Sequence, residues 1–109
     1  MSNIINLQDY RTQGSKVFTG RDRGISVRND SKIDSIENNY DAVTIIIPDD
    51  IGSINPSFLE EFLFNVVIKL QEETFFKKFI FINNGRYKIE SDLHEAVERI
   101  LREETALIH

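Results

Sequence analysis

Apolar and polar residues interleave along most of this chain, but two short segments are almost unbroken apolar runs. Residues 42–47 (AVTIII) are β-branched and end at Pro48; residues 79–82 (FIFI) end at Asn83-Asn84-Gly85. Such runs closed by turn residues predict central strands covered on both faces. Between them, residues 56–71 have a helical pattern. Residues 92–104 form an amphipathic one, with Leu93, Ala96, Val97, Ile100 and Leu101 recurring at i, i+3, i+4, i+7 and i+8. Residues 3–7 read as a short first strand. The stretch TQGSKVFTGRDRG is punctuated by Gly14, Gly20 and Gly24 and predicts a loop with one brief strand at residues 16–18. Residues 24–37 favour a helix over a competing strand at residues 25–28. Strands alternating with helices imply an α/β sandwich with some parallel pairing.

The middle helix is apolar almost all round. At 100° per residue Phe58, Leu59, Phe62, Leu63, Val66 and Leu70 share a face that would cover the sheet, with Phe64 and Ile68 on the opposite side one turn apart. Those two are either covered by another helix, the C-terminal one, or belong to a protein-binding patch. The helix start, GSINPSFLEE, holds two overlapping cap signals. Asn55 before Pro56 fits N-cap then N1, whereas Ser57 with Glu60 fits a capping box. Either way Ser53, Asn55 and Ser57 sit near the positive end of a helix dipole, which favours anions or a phosphoserine.

Composition narrows the setting. The 109 residues, 40% of them hydrophobic, fit one domain spanning residues 1–109, and the lack of cysteine excludes disulfides and thiolate metal sites. No apolar run reaches the ~18 residues of a membrane span, so a cytoplasmic setting is expected. The formal charge of −5 argues against duplex nucleic-acid binding. It is uneven, however: Arg11, Lys16, Arg21, Arg23, Arg28 and Lys32 form a basic island interrupted only by Asp22 and Asp30.

The segments GSKVFTGRDRGISVR and NPSFLEEFLFNVV, separated by a β-branched strand, resemble the bacterial STAS-like domain family of unknown function, over roughly residues 4–103. That family is similar in turn to anti-sigma factor antagonists and to the STAS domains of anion transporters. The resemblance implies a STAS-like sandwich, a mixed sheet of about four strands with two or three helices packed on it. It also implies a regulatory protein-interaction module without catalysis or cofactor, working with a histidine-kinase-like (GHKL-type) ATPase or by self-association. In the phosphorylatable antagonists the strand-to-helix turn carries Asp-Ser-Ser-Gly, whose first serine accepts phosphate. The matching stretch here is Asn55-Pro56-Ser57-Phe58, with Pro56 at the acceptor position and Ser57 and Ser53 as neighbouring hydroxyls. The expected docking surface is this turn with Phe64 and Ile68.

Other chemistries have weaker support. Asp49-Asp50, Glu60-Glu61 and Glu72-Glu73 are adjacent pairs whose side chains diverge on a helix, and they read as solvated surface. His94 and Glu98 would give two metal ligands with no recognisable third. No nucleophile triad, phosphate loop or dinucleotide fingerprint is present. A different class of function rests on the basic loop, where Lys16, Arg21, Arg23 and Arg28 among glycines could cradle a nucleotide or other phosphorylated ligand. Tyr10 and Phe18 are stacking candidates for a single-stranded nucleic acid, against the overall acidity.

Overall fold

The computed structural model describes residues 2–108, with side chains through residue 104. Strand β1 (Ile4–Asn6) leads through a 3-10 helix (Leu7–Tyr10) to β2 (Val17–Phe18), then to helices α1 (Arg21–Ser31) and α2 (Ile33–Asn39). Strand β3 (Val43–Ile46), the two-residue β4 (Ser53–Ile54), helix α3 (Pro56–Lys78), β5 (Phe79–Ile82) and α4 (Glu90–Ile108) follow. The α/β class expected from the sequence is present. Among the described residues the strands are all parallel and form two small sheets, β1-β3-β5 and β2-β4, where a single mixed sheet of about four was expected, and there are four α-helices.

Spatial order follows chain order in the larger sheet, so two right-handed crossovers advance the same way and lay their helices on one face. Burial alternates accordingly. Ile5, Val43, Ile45 and Phe79 are buried under the helices, while Ile4, Ile80 and Ile82 on the other face are exposed. This corrects the expectation of doubly covered strands: β3 is central, but it and β5 are covered on one face only. A short apolar run cannot tell one covered face from two.

Helix α3 is the hub, packed by α1 on one flank and α4 on the other, with α2 and β5 also in contact. Its nearly all-round apolar character follows from that position. The α1 contact is close because Gly24 lies against α3: a Cβ there would come within 2.4 Å of the Phe58 carbonyl oxygen and 2.9 Å of Glu61 Cβ. Gly24 is therefore a helix-packing residue and not loop punctuation. Helix α3 breaks at Gln71 (φ 65°, ψ 170°), the residue where its pattern ends in the sequence, and residues 72–78 resume as a second helical segment. That segment brings in Phe75, which stacks on Phe79 at 4.8 Å and lies 5.1 Å from Phe76.

Candidate functional site

The strand-to-helix junction is held from three sides. Parallel pairing sets Val17 beside Ser53 and Phe18 beside Ile54, extended by Gly52 N–H donating to Lys16 O (2.7 Å) and Asn55 N–H to Phe18 O (2.8 Å). The Asn55 side chain then caps α3 by accepting from Ser57 N–H at 2.8 Å, with Pro56 at the first helical position. Opposite, the Tyr87 hydroxyl shares its one proton between two acceptors, Asp92 Oδ2 at 2.7 Å and the Ile54 carbonyl at 3.1 Å. Burial, reinforced by the Asp92 hydrogen bond, pushes the Tyr87 phenol well above its ordinary value, so it stays a donor.

These braces frame an open cleft of about 340 Å³ lined by Val17, Thr19, Ser53, Ile54, Asn55, Pro56 and Asp92. Val17, 44% exposed, gives it an apolar wall. Ser53 and Asn55 are exposed, and Ser57 is half-buried. Asp92 lines the same cleft as Ser53. Phe64 and Ile68, about 10 and 16 Å further along the helix axis, are half-buried and pack against the core. They form a partly covered flank, not a free apolar patch.

The capping-box alternative is displaced by what Glu60 does. Glu60, 4% exposed, accepts from Arg21 of α1 and Arg99 of α4, both at 3.0 Å, so it clamps three helices together. Glu61 is half-buried, and its carbonyl accepts from Arg28 at 2.7 Å. The pair is thus structural, not solvated surface. A glutamate followed by another glutamate gives no such signal; only the arginines three helices apart in sequence could have hinted at it.

The basic island is likewise dispersed. Arg21, Arg23 and Arg28 lie on α1, not on a loop, and bond inward to Glu60, the Tyr10 carbonyl and the Glu61 carbonyl respectively. Arg11 makes a bidentate pair with Asp50 (2.7 and 2.8 Å) whose hydrogen bonds hold the Asp50 carboxyl below its usual range. Of the four proposed ligand residues, Arg21 lines an open cleft with Glu60, Arg99, Arg102 and Glu103, where carboxylates sit among the cations, and another is faced by Lys16. It lines one of about 450 Å³ with Asp49, Asp50, Ile51, Gly52, Arg86 and Tyr87, beyond the carboxyl ends of β3 and β5. Gly85 seals that end: a Cβ there would lie 2.1 Å from the Asp49 carbonyl oxygen. Phe18, a stacking candidate in the sequence, is buried at 5.2 Å from Phe58, and Tyr10 is half-buried. His94 stacks on Phe76 at 4.7 Å.

No family model, curated protein or solved structure matches this chain. Among the described residues, no helix is long and apolar enough to cross a membrane.

Proposed function

We propose that this chain is a non-catalytic, regulatory protein-interaction module of the STAS-like kind. It docks a histidine-kinase-like ATPase through the β4–α3 turn and the outer flank of α3. The observation that carries the reading is the combination at the turn of a braced backbone with outward side chains. Ladder, cap and the Tyr87 hydroxyl fix Ser53 to Pro56, while Val17, Ser53 and Asn55 are left exposed beside a cleft. A rigid turn loses little conformational entropy on binding, and an apolar wall beside hydrogen-bonding groups suits a protein partner. The half-buried Phe64 and Ile68 extend the footprint along the helix.

Site-specific photocrosslinking tests this directly. Benzoylphenylalanine at position 17 or 64 should capture an ATPase of that class, and the same probe at Lys77, far along α3, should not. Equal capture at all three positions, or capture only at Lys77, would remove the turn from the proposal.

A second reading is supported by the cleft that Lys16 and Arg86 line, since ligands of α/β sheets gather beyond the carboxyl ends of the strands. A nucleotide or another phosphorylated ligand would bind there by Lys16 and Arg86, without Arg21, Arg23 and Arg28. Millimolar nucleotide or inorganic phosphate should then raise the melting temperature of the wild type and not of Lys16→Glu. No shift in the wild type removes this reading.

A further inference from the structure

The loop that leaves β5 sets two asparagines side by side in opposite circumstances. The Asn83 amide, in the orientation that satisfies both of its ends, donates to the Tyr87 carbonyl (2.7 Å) and accepts from the Ile89 N–H (2.9 Å). Asn84 is exposed, and among the described residues no hydrogen bond engages its side chain or the Gly85 N–H. Asn84-Gly85 is also the one Asn-Gly pair in the sequence. Asparagine is thermally labile because the backbone nitrogen of the next residue can attack its side-chain amide carbon, and any Cβ on that residue crowds the attack. Here the packing forbids a Cβ: one built on Gly85 would lie 2.1 Å from the Asp49 carbonyl oxygen and 2.8 Å from its carbon. The contact that seals this end of the sheet therefore fixes the least hindered neighbour Asn84 could have. Other asparagines are protected. The amides that follow Asn29 and Asn65 lie within α1 and α3, and Asn55 precedes Pro56, whose nitrogen carries no proton to lose.

We infer that Asn84 is a site of spontaneous deamidation and isoaspartate formation in the folded protein. The Gly85 nitrogen gives its proton to solvent and bonds to Asn84 Cγ; the Cγ–Nδ2 bond breaks, ammonia leaves, and a cyclic succinimide closes. Water then opens the ring at either carbonyl. Cleavage of the new Cγ–N bond yields aspartate, whereas cleavage of the original Asn84 C–N bond yields isoaspartate, with the main chain rerouted through the side chain. Water is the only co-reactant. Either product makes the chain one unit more negative than −5, and isoaspartate adds a methylene to the backbone between β5 and Gly85. The new carboxylate stands two positions from Arg86, a cation of the cleft that Lys16 also lines. The reaction needs neither partner nor ligand, so its outcome is independent of the docking proposal.

Ageing the full chain for several days at physiological temperature and pH, beside the free peptide FIFINNGR, tests it. Trypsin, cutting after Lys78 and Arg86, releases that same segment, residues 79–86, from the protein. Heavy-oxygen water in the digest marks any conversion caused by handling. The segment from the folded protein should gain the mass difference between an amide and a carboxyl, placed at Asn84 by fragmentation. It should resolve into an aspartate and a larger isoaspartate peak, at a rate within an order of magnitude of the free peptide. Asn84→Gln, whose longer side chain closes a ring far more slowly, should keep the wild-type melting temperature and stay unmodified. A segment left unchanged in the folded protein while the peptide converts overturns the inference. So does conversion at Asn83 instead, or conversion seen only when the protein is aged in urea.

Discussion

Single residues carry much of the geometry, and each makes a checkable claim. Gln71 holds φ 65° and ψ 170°, a region that side chains rarely occupy, while its amide donates to the Ile68 carbonyl (2.7 Å) and to Glu104 (3.1 Å). Gln71→Ala and Gln71→Gly both lose those bonds, yet only glycine relieves the backbone. Urea denaturation should find the glycine variant about 1 kcal/mol more stable than the alanine one. At Gly24 the sign reverses. The methyl of Gly24→Ala meets the backbone of α3, forces α1 outward, and should cost about 1–3 kcal/mol. Tyr87→Phe removes the brace on the Ile54 carbonyl and leaves Asp92 without its donor, a loss of about 1–2 kcal/mol. Amide exchange in residues 53–55 should quicken with it. These roles were hardly legible in the sequence. Gly24 sits among loop-like glycines, Glu60 beside another glutamate, and Tyr87 in an unpatterned stretch. Apart from Asp92, five positions from Tyr87, their partners are 33 to 39 positions away, and no local spacing encodes those.

Among the elements, the α2–α3 contact sets the acid limit of the fold. Glu37 of α2, 3% exposed, accepts from Lys69 (2.8 Å) and Lys78 (2.7 Å) of α3. Burial alone would push its carboxyl up, but the two lysine hydrogen bonds outweigh it and hold the group below 4.5. A carboxyl depressed in the folded state contributes its stability above its unfolded value and loses it as pH falls through the folded one. Asp50, held down by Arg11, acts with the same sign below 3.8. Stability should thus be level toward neutrality and drop as pH falls below 4.5. Glu37→Gln should cost about 2 kcal/mol at pH 7, since Lys69 is half in solvent, and should flatten the acid limb of a pH-dependent urea titration. The elements were largely legible: both long helices, the β-branched strands and the Asn55-Pro56 cap all came from local pattern. Two things escaped. The helix was expected to end at Gln71, but Phe76 and Phe79 both pack on the buried Phe75 and draw the chain into about two more turns. And α1 begins within the glycine-rich stretch, because packing against α3 outweighs its poor local propensity.

The whole molecule is a helix layer built around α3 with a sheet bare on its far side, away from the proposed docking surface. Phe64→Asp tests the helix side: half-buried, it should lower stability by about 1–2 kcal/mol and, in pull-down with the ATPase captured from position 17, reduce recovery at least as much as Val17→Asp. Undiminished recovery in both would leave the turn without a docking role. The candidate site was legible to the extent that Ser53, Asn55 and Ser57 do gather at the junction; Val17, Asp92 and Tyr87 joined it only through the β2-β4 pairing and the loop before α4. The bare face, with its complete lack of charge, also has a consequence for handling the protein. Sulfate strengthens apolar contact by exclusion from surfaces, whereas ionic strength weakens the attraction of the Lys16 and Arg86 cleft for an anion. Raising ammonium sulfate should strengthen apolar contact at Ile4, Ile80 and Ile82 while it loosens any phosphorylated ligand, so salt of one kind pulls the two surfaces in opposite directions without a single substitution.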